Sequence, residues 1–193
     1  MEPQWSRLQQ EYDVSVTYRM IGLLPSWDRF HDSTHSLSRP LQMGPEWMYA
    51  GQVCGRPVAD TIWITDPPAS SFPACIAVKC AELQSGAMGA LYLHLLREAV
   101  LVRGENIAET AVLLAVATNL ARSERGFDEK RFEDEITGTK ARELFRRDYQ
   151  EAQYLGIRRT PTLVFKHNGK RLALHGYQPG AELRATMEGL LKG

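Results

Sequence analysis

Val14, Val16, Tyr18 and Met20 alternate with Ser15, Thr17 and Arg19, the period-two pattern of a strand with one buried face. Ahead of them, residues 3–12 read as a short helix with Trp5 and Leu8 on one side and Pro3 suited to its first turn. From Gly22 to Ala69 the periodicity is lost. Pro25, Pro40, Pro45, Pro57, Pro67 and Pro68 interrupt it, and with Pro73 just beyond they make up seven of the ten prolines. Within this stretch only residues 46–53 are expected to be helical. Trp27, Trp47 and Trp63 also fall here, and such aromatics either pin a long loop to the body of a protein or line a groove.

Helical spacing then returns. Ser70 or Ser71 is placed to cap a helix with Pro73 in its first turn, running to about residue 84, whose Ala74, Ala77 and Ala81 permit close packing. Residues 87–102 follow, with Leu91, Leu95, Ala99 and Val102 expected on the buried face. Next come residues 110–123, with Leu113, Val116, Ala117 and Leu120 inward, then 128–136 after a stop at Gly126. Residues 139–155 carry Ala141, Leu144, Phe145, Ala152 and Leu155 inward and end at Gly156, a left-handed stop. Residues 162–167 and 171–175 read as two strands joined by Asn168-Gly169, a strong two-residue turn. Pro179 opens a last helix with Leu183, Met187, Leu190 and Leu191 at helical spacing.

Composition adds exclusions. Lys plus Arg equals Asp plus Glu at 23 each, so net charge gives no case for a nucleic acid or membrane partner. No apolar run approaches the roughly 20 residues of a membrane span, and the first ten residues lack an apolar signal core, so a cytoplasmic location is expected. The interleaved charges of residues 122–148, eight basic and eight acidic, read as solvated helix faces. Cys54, Cys75 and Cys80 are odd in number and contain no CxxC, and all three are expected to be buried or half-buried free thiols. Cys75 and Cys80 point about 140° apart on one helix. Cys75, in the first turns of its helix, is the best-placed nucleophile of the three, its pKa expected to fall. No metal site or cofactor is expected: His31 and His35 beside Asp28 and Asp32 lie in an irregular stretch, and His94 reads as a core or surface histidine. His167 and His175 are expected to face each other across the hairpin. No phosphate loop, GxSxG or HExxH occurs, so no catalytic residue is assigned.

The segment Gly156-Ile-Arg-Arg-Thr-Pro-Thr-Leu-Val-Phe165, with the NG hairpin and final helix after it, resembles the second half of a thioredoxin fold. Residues 24–28, 66–79 and 96–107 extend the resemblance to cytoplasmic DsbA/FrnE-like proteins. It implies an α/β, thioredoxin-like fold with a large helical insertion. Residues 1–24 and 156–193 would form the thioredoxin-like part and residues 25–155 the inserted helical subdomain. It further implies that the Thr160–Pro161 bond is cis and that Thr160 and Pro161 form a substrate-facing loop. The dipeptide alone reads as an ordinary trans proline at a strand start.

The family's redox CxxC, and the strand before it, would fall ahead of Met1. Either the chain is expected to begin late relative to a complete protein, or it is a non-catalytic relative that completes its sheet otherwise. As given it is not expected to catalyse dithiol exchange. The resemblance therefore implies a thiol–disulfide oxidoreductase-like protein acting on protein or peptide thiols. Its rivals are a protein-binding adaptor, as in DsbA-like relatives that deliver clients to a Clp-type protease, and a glutathione-binding relative of kappa-class transferases or 2-hydroxychromene-2-carboxylate isomerases. A homo-oligomer is compatible with each.

Overall fold

The computed structural model describes residues 2–31, 36–157 and 159–192. Asp32, His35 and Arg158 lie outside the described residues, as does the side chain of Trp5. In chain order the elements are α1 (Glu2–Glu11), α2 (Met43–Cys54), α3 (Ile62–Thr65), α4 (Phe72–Glu82), α5 (Gly86–Leu101), α6 (Thr110–Ser123), α7 (Glu129–Thr137), α8 (Lys140–Tyr154), β1 (Thr162–His167), β2 (Lys170–His175) and α9 (Gly180–Leu191). Short 3-10 turns occur at Trp27–Arg29 and Pro40–Gln42. The chain divides into two compact units, Met1–Thr17 with Gln153–Gly193, and Tyr18–Ala152.

The larger unit is helical and is organised around α4. Ala77, Cys80 and Ala81 are fully buried, and their small side chains let α5, α6 and α7 close in. Gly89 of α5 serves the same approach: a Cβ there would come within 2.9 Å of the Glu82 Cβ. On α6 the buried residues are Leu113, Val116, Ala117 and Leu120, as the spacing predicts. On α5 the expected face is displaced. Gly89, Tyr92, Leu93, Leu96, Ala99 and Val100 are buried, whereas Leu91 and Val102 are exposed. Tyr92 decides this face, because its hydroxyl donates to the Leu113 carbonyl at 2.9 Å while its ring meets Phe132 at 5.0 Å.

Helix starts are set by side chains. Ser85 accepts from the Met88 N–H, and Asp128 accepts from the Arg131 N–H at 2.9 Å. Ser71 does not cap α4. Its hydroxyl accepts from the Leu24 N–H and donates to the Leu24 carbonyl, while Ser70 accepts from the Phe72 N–H. The tryptophans pin the proline-rich stretch: Trp63 is buried, with Trp47 edge-on at 5.0 Å and Trp27 at 6.1 Å, and the Trp27 indole donates to the Pro68 carbonyl. That stretch is more regular than its prolines suggest, since α3 and both 3-10 turns lie within it.

Residues 14–20 are not a strand. The expected alternation of exposure is present, with Asp13, Ser15, Thr17 and Arg19 exposed between half-buried neighbours, but no ladder forms among the described residues. Side chains replace the ladder. Lys79 donates to the Tyr18 carbonyl at 3.3 Å, and the Met20 N–H donates to Asp148 at 3.0 Å. The ammonium of Lys79 also reaches Asp148 at 2.5 Å and Glu82 at 2.6 Å, so all three of its protons are engaged. Lys79 and Asp148 are both buried, which corrects the reading of residues 122–148 as wholly solvated.

In the smaller unit, β1 and β2 form a two-stranded antiparallel sheet. Leu163, Phe165 and Leu174 pack with Tyr12 and Val14 on a small core of Leu8, Leu183 and Met187. Asn168 and Gly169 both have positive φ, 46° and 78°, as the predicted tight turn requires. The register pairs Thr162 with His175 and His167 with Lys170, so the two histidines do not face each other. A turn of two residues fixes this: it sets His167 beside the first residue of β2 and leaves His175 at the far end.

Candidate functional site

The chain runs out of α8 through Gly156, whose φ of +65° ends the helix in the left-handed conformation, and reaches Thr160 and Pro161 at the entrance to β1. The Thr160–Pro161 peptide bond is cis. Arg159, Thr160 and Pro161 are exposed. Two contacts hold the loop: the Thr162 hydroxyl donates to the Arg159 carbonyl at 2.8 Å, and the Gly176 N–H donates to the Pro161 carbonyl at 2.8 Å. Thr162 Oγ1 also lies 3.0 Å from His175 Nδ1, so the register that separates the histidines brings His175 to this loop. The sequence alone gave His175 no such place. The backbone N–H and carbonyl of Thr160 have no partner among the described residues, which leaves them available to an extended peptide.

The cysteines do not assemble into a redox site. All three are free. Cys54, at the end of α2, is exposed, contrary to the expectation for it. Cys75 is half-buried, and burial pushes its thiol up to about 11, outweighing a backbone hydrogen bond from Gly22 and the charge of Lys79. That reverses the expected depression at the start of α4: desolvation of a thiolate among apolar neighbours exceeds what the helix end supplies. Cys80 is fully buried and pushed up to about 12, again chiefly by burial. Among the described residues no group of His, Cys, Asp and Glu is arranged to hold a metal ion. His94 is on the surface, 3.5 Å from Glu98.

Two outcomes follow for the thiols. At pH 8 iodoacetamide is expected to modify Cys54 rapidly and to leave Cys75 and Cys80 at least tenfold slower (about one pH unit of thiolate population is already tenfold); mass spectrometry of peptides after timed quenching reads this directly. Folding raises the thiols of Cys75 and Cys80 above the ordinary thiol range. Their contribution to stability is therefore complete below pH 9 and is lost as pH rises through 11 and 12. Denaturant midpoints should fall more steeply above pH 9 in the natural chain than in Cys75→Ala, and equal slopes would contradict the assignment.

Comparison with known proteins agrees with this architecture. The Thioredoxin_5 profile, described as thioredoxin, matches residues 1–184. A structure from Nitrosomonas europaea, provisionally described as a protein disulfide isomerase, superimposes with a TM-score of 0.74 at 22% identity, covering 98% of this chain and 89% of that one. The cytosolic disulfide reductase DsbM from Pseudomonas aeruginosa gives 0.60 at 25% identity over 77% of this chain and 74% of its own. In sequence, the ClpXP adapter protein SpxH of Halalkalibacterium halodurans is 27% identical over 85% of this chain and 53% of its own length. The chain thus spans about half the length of that curated relative. The cis Thr160–Pro161 bond ahead of a β-hairpin and closing helix, the helical unit inserted before it, and a profile match over almost the whole chain lead to one assignment: the chain belongs to the DsbA-like Thioredoxin_5 family and has a thioredoxin-like fold.

Proposed function

We propose that this chain is a protein-binding module of its family, an adaptor that holds a client at the Thr160–Pro161 loop without exchanging disulfides. The observation that carries this reading is the state of the thiols: no CxxC occurs in the 193 residues, and the two cysteines that share α4 are held protonated by burial. A dithiol oxidoreductase needs one exposed, acidified thiol with a resolving partner beside it. The backbone of Thr160, without a partner among the described residues, suits main-chain capture of an extended segment, which needs no thiol. Relatives named as ClpXP adapter proteins support the same reading, and a cytosolic relative supports a cytoplasmic site of action. No helix among the described residues is long and apolar enough to cross a membrane.

The test uses a client that cannot undergo thiol chemistry, reduced and carboxamidomethylated ribonuclease A. The natural chain and a variant with Cys54→Ser, Cys75→Ala and Cys80→Ala are expected to bind it with affinities within about twofold, well under one RT of free energy. Amide resonances of Thr160, Thr162 and Gly176 should shift on client addition. Insulin reduction by the natural chain should not exceed the buffer rate. Insulin turnover abolished by Cys75→Ala would instead make the protein an oxidoreductase.

A further inference from the structure

The zero net charge conceals a strong local asymmetry. Between Glu151 and Glu182 there is no Asp or Glu, yet Arg158, Arg159, Lys166, Lys170 and Arg171 fall in that interval. The hairpin concentrates this charge, because the register sets Lys166 opposite Arg171 and His167 opposite Lys170. Like charges directly opposite each other across a ladder repel. Lys79, Arg103, Lys130 and Arg184 each have carboxylate partners. Among the described residues Lys166, Lys170 and Arg171 have none.

Beside this basic tip lies a cleft of about 530 Å³, lined by Lys170, Arg171, Leu172, Ala185, Gly189 and Leu190 among others. It lies wholly within the smaller unit, between β2 and the second half of α9. Its opening follows from small residues on α9. A Cβ built on Gly189 would meet nothing within 4 Å, although glycine inside a helix is unfavourable for the helix itself. Leu172 is left 40% exposed there, an apolar wall next to unpaired cations. Among the described residues β2 pairs only with β1, which leaves its outer backbone edge open as well.

We propose that the cleft and the basic hairpin receive an acidic, extended segment of a protein partner, one apolar side chain seated against Leu172 and its carboxylates against Lys166, Lys170 and Arg171. Three features favour a polypeptide. The cleft, open to solvent, sets the apolar Leu172 and Leu190 beside Lys170 and Arg171, a mixed lining that suits the side chains of a peptide. Among the described residues its lining carries no aromatic ring on which a base would stack. An open strand edge offers main-chain hydrogen bonds to a peptide alone. This surface is distinct from the Thr160–Pro161 loop, which stands at the other end of β1, about 13 Å from the level of Leu172 and about 20 Å from the hairpin tip at 3.3 Å per residue.

The experiment is fluorescence polarisation with the full chain and a fluorescein-labelled peptide, Gly-Glu-Asp-Leu-Glu-Asp-Leu-Glu, beside its counterpart with every acid replaced by lysine. The acidic peptide is expected to bind saturably below about 1 mM, and the lysine peptide not to bind. Raising ionic strength from about 0.05 to 0.3 M should weaken the acidic peptide about tenfold, since exposed charges are screened over shorter distances. The double variant Lys170→Glu, Arg171→Glu should weaken it at least tenfold by reversing the hairpin's charge. Gly189→Leu, which fills the cleft and favours the helix, should do the same while leaving the circular dichroism spectrum unchanged. Binding that ignores both variants, or no saturable binding of the acidic peptide, overturns the proposal. Preferential binding of phosphatidylserine vesicles or of a single-stranded oligonucleotide would assign the basic face to those partners instead. Capture of ribonuclease A, a basic client, is a separate readout, so loss of one activity is distinguishable from loss of the other.

Discussion

Replacing Lys79 by alanine is expected to destabilise the larger unit by about 3–5 kcal/mol, because it leaves Asp148 charged, buried and without its cation. The side chain of Lys79 is 1% exposed and that of Asp148 7%. Loss of the ammonium leaves Asp148 Oδ2 with the Met20 N–H as its remaining donor among the described residues and also releases the Tyr18 carbonyl. Arg19, at 3.5 Å from Asp148, is half exposed and is already bound to Glu151 at 3.0 Å, so it does not substitute for a buried partner. A domain of this kind has about 5–15 kcal/mol in total, so the variant should unfold at a much lower urea concentration with an unchanged slope. The informative control is Lys79→Met with Asp148→Asn. It removes both charges and keeps an acceptor for the Met20 N–H, which would otherwise cost about 1–3 kcal/mol if left unsatisfied. This double variant should be more stable than Lys79→Ala alone. A loss below about 1.5 kcal/mol for Lys79→Ala would mean that water reaches Asp148 and the pair is not buried in solution.

That ion pair also marks where sequence reading stopped. Lys79 sits within an apolar helix, and Asp148 sits 69 positions later in a run of alternating charges. Nothing in local spacing distinguishes Asp148 from its solvated neighbours; only the tertiary approach of α8 to α4 makes it a buried partner. The same holds for residues 14–20. Their alternation was legible because burial of one side follows from side-chain hydrophobicity, but a strand also needs a neighbour for its backbone, and the sequence pattern does not say where those bonds go. Elements whose signal is local were read well: the buried face of α6, the stop at Gly156 and the Asn168–Gly169 turn. The face of α5 was displaced because Tyr92 is amphipathic, and its hydrogen bond to the Leu113 carbonyl decides its burial. At the candidate site, Thr160 and Pro161 came from resemblance, whereas the approach of His175 to Thr162 follows from register. The charge asymmetry of residues 152–181 was present in the sequence throughout, hidden by a balanced total.

Leu183→Ala is expected to act on the smaller unit, at a cost of about 2–5 kcal/mol. Leu183 is fully buried, and among the described residues its cluster has two further buried members, Leu8 and Met187. Three buried side chains give little capacity to absorb a cavity, since a small unit has few neighbours able to relax into it. The half-buried Leu163, Phe165 and Leu174 rest on this cluster, and β1 begins one residue after Pro161. The cavity should therefore reach the candidate site through β1 and not through any contact of Leu183 with a client. Native-state hydrogen exchange is the measurement, because it reads each segment separately. Amides of β1 and β2 should exchange about 30-fold to several thousand-fold faster in the variant, the factor that 2–5 kcal/mol confers when opening is at equilibrium. Amides of α4 and α6, in the other unit, should change little. Binding of carboxamidomethylated ribonuclease A should weaken in proportion to the fraction of chains with an open hairpin, and return at lower temperature as that fraction falls. Uniform acceleration across α4, α6, β1 and β2 would instead show that the two units open as one cooperative body. In that case a cavity under the hairpin would unfold the helices as well, and the loop at Thr160 would owe its position to the whole chain.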